Sequence, residues 1–343
     1  MTMNNTFKSA FFEVKDWEKD YIYKALPKED VILFGETLEE ALRLNTSEVF
    51  ANVTIISTFI DSDCSKKTLE KFPQLKFIAT RSTGYDHIDL EYCKLKGIKV
   101  SNVPNYGQNT VAEHAMALLL TLVKRIPEST ERIRKGNFSA EGLTGYDLKD
   151  KIIGVIGTGN IGKNFISMAK GFNMNVIAFD INRRVELEEE LGFTYTDLDY
   201  IFAKSDIISL HIPYLKTTHH IIDQKAIDKM KKGVVIINTS RGGLIDTDAL
   251  YIGLTSKKIG AAGLDVVEEE NFIKEELQFL KEEECDSDTL KIALENQMMS
   301  NMSNVAMTPH NAFNTKEALV RIIKITLENI LEYVDNNPVN IVS

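Results

Sequence analysis

Cysteine is scarce. The 343 residues hold three, Cys64, Cys93 and Cys285. They are odd in number and far apart, which excludes a disulfide framework or a cysteine-built zinc site and fits a reducing compartment. Long apolar runs are missing too: the richest, residues 115–123, is far too short to span a bilayer, so no membrane role is expected. The first seventeen residues lack a basic segment followed by an apolar one, so no secretory leader is expected and the cytoplasm is the expected location. Positive charge is in deficit, with 40 Lys+Arg against 50 Asp+Glu and a net charge of -10. Lys66-Lys67 and Lys231-Lys232 are short pairs and not a patch, which sets aside nucleic acid as a partner. No repeat at solenoid spacing and no low-complexity tract interrupts the chain. No Gly/Ser linker marks a domain border.

What is present is an ordinary globular balance, 43% hydrophobic and 26% charged, in a chain long enough for about two domains with cores of their own. In the first third, residues 31–34, 53–57 and 77–80 are short apolar runs of strand type. Residues 37–44 and 66–72 between them have helical composition. Alternation of this kind predicts a parallel sheet with crossover helices. Residues 110–125 read as a long helix with Ala112, Ala115, Leu118, Leu119 and Leu122 on one side. A second series begins near residue 151, with strands at 151–156, 175–179, 206–210, 234–238 and 260–266 and a helix at 162–171. The expected fold class is α/β, with two doubly wound parallel-sheet domains. Residues 271–304 interrupt the series. They are rich in Glu and Lys, carry Phe272, Leu277 and Leu280 at helical spacing, and read as a charged, mostly helical excursion.

Residues 157–162 read Gly-Thr-Gly-Asn-Ile-Gly, after one expected strand and at the opening of a helix. Gly157 would make the tight turn, Gly159 would let backbone N–H groups approach a pyrophosphate, and Gly162 would let the helix pack close to the strand. The free N–H groups and dipole at the helix start would hold the anion. Such a turn also occurs without a ligand, and the acid further on is what decides. The next expected strand ends at Asp180, eighteen positions after Gly162. A carboxylate there can accept hydrogen bonds from both ribose hydroxyls and would repel a 2′-phosphate, which favours NAD over NADP. Arg183 and Arg184 are an opposing signal, since arginine can bind that phosphate. They also read as solvated charges at the start of an acidic helix.

Hydride transfer to a 2-oxo acid needs a cation for the carboxylate, an acid for the carbonyl oxygen and a group that tunes the acid. Arg241, just after an expected strand, has the planar fork that grips a carboxylate at two points. His310 is of the residue type that exchanges protons near neutrality. Glu270 follows the strand at 260–266, and a carboxylate beside an imidazole orients the ring and favours its charged form. Each has a plainer reading alone: a surface arginine, a packed histidine, and a solvated member of the run Glu268-Glu269-Glu270.

The ordered set of motifs resembles the D-isomer-specific 2-hydroxyacid dehydrogenase family, most of all its D-lactate dehydrogenase branch. The set runs Thr80-Arg-Ser-Thr-Gly-Tyr-Asp-His-Ile-Asp89, Asn102-Val-Pro-Asn-Tyr106, Val111-Ala-Glu-His114, the glycine loop, His211-Ile-Pro213, Asn238-Thr-Ser-Arg-Gly242, Gly263-Leu-Asp-Val266 and Thr308-Pro-His310. The resemblance implies two Rossmann-like domains, with an NAD-binding domain (106–312) inserted in a substrate domain (1–105 and 313–343). It implies a homodimer through the helix at 110–125 and, as the favoured reaction, pyruvate + NADH + H⁺ to D-lactate + NAD⁺. Arg241 would bind the substrate carboxylate, His310 would give the proton, and Glu270 would pair with His310. Thr83 and Gly84 would meet the carboxylate through backbone N–H groups, Tyr106 would line the pocket and Phe313 would cap it. Asn160 and Ile161 match positions at the pyrophosphate and Asp180 at the ribose. Ile212, Pro213 and Thr218 match positions near the adenosine, and Thr239, Ser240 and Asp265 positions near the nicotinamide. His211 would line that pocket without doing chemistry.

Two features depart from the family pattern. The path from Glu270 to His310 is long, and Asn314 stands where D-lactate dehydrogenases often place a second aromatic. The alternatives are another 2-oxo acid (glyoxylate, hydroxypyruvate or a branched one) and an NAD-sensing, corepressor-like binding protein. Intact Arg241, Glu270 and His310 speak against the latter, and Glu270, where formate dehydrogenases of the family have Gln, speaks against formate. His87, His114, His219 and His220 show no metal-ligand spacing and read as packing, capping or surface residues, so no metal is expected.

Overall fold

Runs of Ile and Val make strands that are buried on both faces, as parallel sheets layered between helices require. In the strand Val234–Asn238, Val235 and Ile237 enter one core while Val234 and Ile236 enter the other. The computed structural model describes residues 7–269 and 287–343, so Glu270, Cys285 and the first half of the charged excursion lie outside the described residues. The chain divides into two units, Met1–Tyr106 with Thr315–Ser343, and Gly107–Asn314.

The first unit holds β1 (Ser9–Phe11), β2 (Val31–Leu33), β3 (Ile55–Thr58), β4 (Phe77–Thr80) and β5 (Lys99–Ser101). They pair in parallel in the order β2-β1-β3-β4-β5. This is a doubly wound order whose direction reverses between β1 and β3. One face buries Phe12, Phe50 and Phe72, and the other is covered by the helices Asp16–Ala25 and Lys316–Val334. On that second face Ile323, Leu327 and Ile330 pack with Phe11, Ile55 and Phe77, and the Tyr333 ring stacks on Phe77 at 4.1 Å. This apolar burial ties the C-terminal helix to a sheet made almost entirely from the first hundred residues. The thiols of Cys64 and Cys93 are free and buried here, and burial pushes the first far up and the second up to about 11, so neither is a nucleophile at neutral pH.

The carboxyl ends of β1, β3 and β4 are joined by buried charge. Arg81, 2% exposed, donates from Nη2 to the carbonyls of Phe12 (2.6 Å) and Glu13 (3.2 Å) and from Nη1 to Ser57 Oγ (3.3 Å). Its Nε lies 3.5 Å from Glu18 Oε1. Glu13, at φ +56°, accepts from the Phe59 N–H (2.8 Å) and the Ser62 hydroxyl (2.5 Å). Burial pushes the Glu13 carboxyl above its ordinary range, against the pull of Ser62 and Arg81.

The second unit holds β6 (Ile152–Ile156), β7 (Asn175–Phe179), β8 (Thr194–Tyr195), β9 (Ile207–Leu210), β10 (Val234–Asn238), β11 (Ile259–Leu264) and β12 (Val305–Met307). All pair in parallel, in the order β12-β11-β10-β9-β6-β7-β8. Helices Gln108–Val123 and Asn160–Gly171 cover one face. Helices Leu198–Lys204, Gln224–Lys229, Thr247–Thr255 and Ser287–Ser300 lie with the other core.

The expectation of two doubly wound parallel sheets is borne out, with small corrections. The helix expected to reach Arg125 ends at Val123, because Arg125 turns the chain at φ +53°. Leu122 is only half-buried, while Val111, Met116 and Val123 are buried. Helix was expected over 66–72, but only Lys66–Leu69 forms. The strand read at 260–266 is Ile259–Leu264. Replacing Arg81 by Met should leave Glu18 and Glu13 as uncompensated buried acids and cost about 3–5 kcal/mol. Urea unfolding followed by the fluorescence of Trp17, the chain's only tryptophan and a member of this unit, measures it. A loss below ~1 kcal/mol would show that the first unit does not depend on this ion pair.

Candidate active site

Seven parallel strands end on one side, so their order sets the order of the loops that follow them. His310 follows β12, Asp265 β11, Arg241 β10, His211 β9, the glycine loop β6 and Asp180 β7. The winding reverses between β6 and β9, and the crevice at such a reversal is where doubly wound sheets take ligands.

At the loop after β6, Gly157 has φ +98°, and a Cβ there would stand 2.3 Å from the His211 carbonyl oxygen. A Cβ on Gly162 would stand 2.0 Å from the Gly157 carbonyl oxygen. Backbone packing alone therefore demands both glycines. A Cβ on Gly159 would meet no described atom within 4 Å, so what it would fill is an open cradle. No described side chain caps the helix Asn160–Gly171, whereas Asp197, Asp223, Asp246 and Thr315 cap theirs. The first-turn N–H groups at Ile161 and Gly162 thus form the kind of helix start that receives an anion.

Asp180 is aimed back at this loop. Its Oδ2 accepts from the Thr158 N–H (2.8 Å) and hydroxyl (3.1 Å), and its Oδ1 from the Asn182 N–H (2.8 Å). The two arginines that complicated the sequence reading are held by the protein: Arg184 donates to the Thr158 carbonyl, and Arg183 to the Thr196 carbonyl (2.9 Å). Across the reversal, Ile212 packs on Gly157. Thr218 closes the next turn by donating to the Pro213 carbonyl and accepting from the Leu215 N–H, both at 2.8 Å. The His211 ring packs on Phe165 (4.9 Å) with Nε2 2.9 Å from Ser209 Oγ. Burial pushes this ring down to about 3, so it stays neutral at working pH and cannot be the proton donor. Its Nδ1 and the Oγ1 of Thr239 are buried polar atoms without a partner among the described residues, which suits a polar ligand at these strand ends. The open cradle, uncapped helix and facing carboxylate together fit a dinucleotide.

At the end of β10, Asn238 shapes the loop that carries Arg241. Its Oδ1 accepts from the Ser240 N–H (3.0 Å) and its Nδ2 donates to the Arg241 carbonyl (2.8 Å), while the Ser240 hydroxyl donates to the Leu210 carbonyl (2.8 Å). Arg241 is half-buried, and its Nη1 donates to the Ser240 carbonyl (2.7 Å). His310 is half-buried at φ +49°, with its N–H on the carbonyls of Asp265 (2.8 Å) and Thr308 (2.9 Å). A non-glycine residue held in the left-handed region needs surroundings that over-determine it.

Asp265 provides them. This carboxylate, 1% exposed, accepts from the Thr308 hydroxyl (2.6 Å) and the N–H groups of Asn311 and Ala312 (both 2.9 Å). The His114 Nε2 lies 3.4 Å away and 3.0 Å from Thr308 Oγ1. Burial would raise the Asp265 carboxyl, but hydrogen bonds from His114, Thr308, Ala312 and Asn311 hold it below the usual range. Its stabilising contribution is therefore present above the unfolded value of about 3.9. It is lost only as pH falls through the lower folded value. Asp265, expected beside the nicotinamide, thus commits its carboxylate to the His310 loop. His114, read as packing or capping, helps to anchor that loop; its place in Val111-Ala-Glu-His114 was the available signal. Glu270 lies outside the described residues.

In the first unit, the loop after β4 carries Thr83 and Gly84. The Thr83 hydroxyl donates to the Val103 carbonyl (2.7 Å), Asn102 Nδ2 donates to the Thr83 carbonyl (2.8 Å), and the Ser82 hydroxyl donates to the Gly84 carbonyl (2.5 Å). The N–H groups of Thr83 and Gly84 make no hydrogen bond among the described residues. The Tyr106 carbonyl accepts from Arg321 Nε (2.7 Å). Phe313, in the second unit, is half-buried.

Residues 116–312 match the family model described as D-isomer specific 2-hydroxyacid dehydrogenase, NAD binding domain. A 2-hydroxyacid dehydrogenase homologue of Haemophilus influenzae is 38% identical over 327 residues, 94% of this chain and 95% of its own. The chain belongs to the D-isomer-specific 2-hydroxyacid dehydrogenase family. The cofactor of this dehydrogenase is NAD. The D-lactate dehydrogenase of Escherichia coli is 37% identical over 325 residues, covering 94% of this chain and 95% of its own. The solved D-lactate dehydrogenase of Aquifex aeolicus, complexed with NAD and lactic acid, aligns with a TM-score of 0.84 and 36% identity over 96% of each chain. Asp265→Ala should orphan two buried N–H groups and cost about 2–4 kcal/mol. By displacing the His310 loop it should also lower kcat/KM for NADH-linked 2-oxo acid reduction by about 100-fold, chiefly in kcat. Thermal melts and steady-state kinetics measure the two effects, and an unchanged kcat would show that Asp265 does not position His310.

Proposed function

We propose that this 2-hydroxyacid dehydrogenase reduces pyruvate to D-lactate with NADH, and that Arg241, His310 and Glu270 carry the chemistry. The observation that carries the reading is the sheet order, with the Arg241 loop and the Asp265-anchored His310 loop on one flank of the reversal and the glycine loop on the other. Arg241 holds the substrate carboxylate in its fork. The N–H groups of Thr83 and Gly84 are further donors to it. The His310 imidazolium gives its proton to the carbonyl oxygen in reduction and takes it back in oxidation. Glu270 stabilises that cation. Bound NADH supplies the hydride that C2 receives. Tyr106 and Phe313 shape the side-chain pocket. Asn160 and Ile161 face the pyrophosphate, Ile212, Pro213 and Thr218 lie by the adenosine, and Thr239, Ser240 and Asp265 by the nicotinamide. Asp180 selects NADH, since a 2′-phosphate beside it would be repelled.

Pyruvate is supported by the Escherichia coli and Aquifex aeolicus D-lactate dehydrogenases. The competing acids are set by other relatives. A glyoxylate reductase of Thermococcus litoralis is 35% identical over 97% of this chain, and an aromatic 2-oxoacid reductase of Clostridium sporogenes is 38% identical over 88%. The proposal includes a homodimer, for which the second unit offers the exposed apolar side chains Ile126, Ile133 and Phe138 on and beyond the helix Ile126–Arg134. It also places the enzyme in the cytoplasm; no described helix is long and apolar enough to cross a membrane.

The deciding experiment is a panel of 2-oxo acids with NADH. Pyruvate should exceed glyoxylate, hydroxypyruvate, branched and aromatic acids by about tenfold or more in kcat/KM, the scale that pocket size alone can provide. D-lactate, and not its enantiomer, should be oxidised. A larger acid winning would move the substrate assignment, and no turnover of any acid would return the corepressor-like reading.

The proton assignment has its own test. Reduction consumes a proton and should slow as pH rises, while D-lactate oxidation, which releases one, should speed up. Glu270→Gln should shift the falling limb of the reduction profile to lower pH, because the neutral amide no longer favours the imidazolium. His310→Ala should remove most turnover and leave NADH binding in place. A limb that stays put in Glu270→Gln would uncouple Glu270 from His310.

A further inference from the structure

Beside the residues assigned to chemistry, but not among them, two consecutive histidines stand together on the turn after β9. Neighbouring side chains ordinarily diverge, but His220 takes φ +50° and its ring stacks on that of His219, with centroids 3.7 Å apart and 26° between planes. The turn is fixed by the His219 N–H on the Leu215 carbonyl and the His220 N–H on the Gly243 carbonyl, both at 2.9 Å. Glu268, from the segment after β11, faces them. Its Oε1 is 2.6 Å from His220 Nε2, and its Oε2 accepts from the Thr247 hydroxyl (2.7 Å). One nitrogen of each imidazole and one Glu268 oxygen lie within 4.8 Å of one another.

The groups around these three are those that orient ligands to a metal. Asp246 Oδ2 lies 3.9 Å from His220 Nδ1, the Tyr214 hydroxyl lies 3.1 Å from His219 Nδ1, and Thr247 holds the second oxygen of Glu268. Histidines that bind metal commonly direct their other ring nitrogen at such partners, which fixes tautomer and orientation. We propose that His219, His220 and Glu268 form a site for a divalent transition-metal ion of the zinc type.

Two imidazoles and a carboxylate suit Zn²⁺, Co²⁺ or Ni²⁺, and not Mg²⁺ or Ca²⁺, which take mainly oxygen ligands. With metal–ligand bonds of about 2.0–2.2 Å, donor atoms around one tetrahedral ion stand roughly 3.4 Å apart. The 2.6 Å pair has to open slightly and His219 has to swing inward, which its exposed side chain can do. Three protein ligands leave the fourth position to water. An ion here ties Glu268, two residues before Glu270, to the turn after β9, and so alters turnover. That consequence rests on the role given to Glu270 above, whereas the binding does not.

The test uses the metal-stripped, NADH-bound enzyme, titrated with Zn²⁺ by calorimetry and with Co²⁺ by visible absorption. Saturable binding of one ion per chain is expected, with a Co²⁺ spectrum of four-coordinate type. His219→Ala, at an exposed position where melting should be unchanged, should weaken binding by about tenfold or more, and Glu268→Gln by a similar factor. Zn²⁺ should change kcat in the wild type and not in His219→Ala. Binding that survives His219→Ala, or that disappears only in His310→Ala, overturns the site, as does a lack of saturable binding. Binding without any change in kcat overturns the coupling to Glu270.

Discussion

The carboxylate of Asp265 is the interaction on which the loops after β11 and β12 of the NAD-binding unit depend. It is almost wholly buried, a position that is costly unless every lone pair is used. The chain uses them on the hydroxyl of Thr308, two consecutive backbone N–H groups and the imidazole of His114. Three separate pieces of chain thereby meet: the end of β11, the loop after β12, and the helix Gln108–Val123. The left-handed backbone of His310 persists because its own N–H is held by the carbonyl of the same aspartate. Loss of one partner would not relax the loop gently, because the others would remain buried around an incomplete charge.

The cofactor half is organised differently. There the constraint is close approach, with Gly157 and Gly162 each facing backbone at distances no Cβ could occupy. A Cβ on Gly159 would meet no described atom within 4 Å, so the protein's own packing does not demand glycine there, and the positions are separable in the geometry although identical in the sequence. The same separation holds for charge. Asp180 is directed to the loop by Thr158, while Arg183 and Arg184 are engaged on backbone carbonyls and fix the turn between β7 and the following helix.

Much of this was legible in the residues. The five-residue runs that became β6, β7 and β10 are apolar enough to read directly, and the glycine loop announces its own strand–turn–helix context. Of the two- and three-residue strands, β2 was readable from the apolar run 31–34, whereas β1, β5, β8 and β12 carry too little pattern and exist because neighbours on the sheet pair with them. The work of Asp265 was not legible, since its partners lie 43 and more positions away. Arg81 could be read as part of a motif, but its burial between Glu13 and Glu18 depends on contacts across 60-odd residues. The pairing of His219 with His220 turns on one positive φ, which no residue type announces for histidine.

The C-terminal helix has a consequence for synthesis. The sheet of the first unit is complete by Ser101, yet one of its faces waits for Lys316–Val334. During translation the intervening unit, Gly107–Asn314, is finished before that helix emerges. Nascent chains therefore carry Phe11, Ile55 and Phe77 covered only in part, by the helix Asp16–Ala25, for the whole time the ribosome takes to make the second unit. The part left open is a ready target for a holding chaperone, and premature termination before residue 316 leaves it permanently uncovered and prone to aggregate.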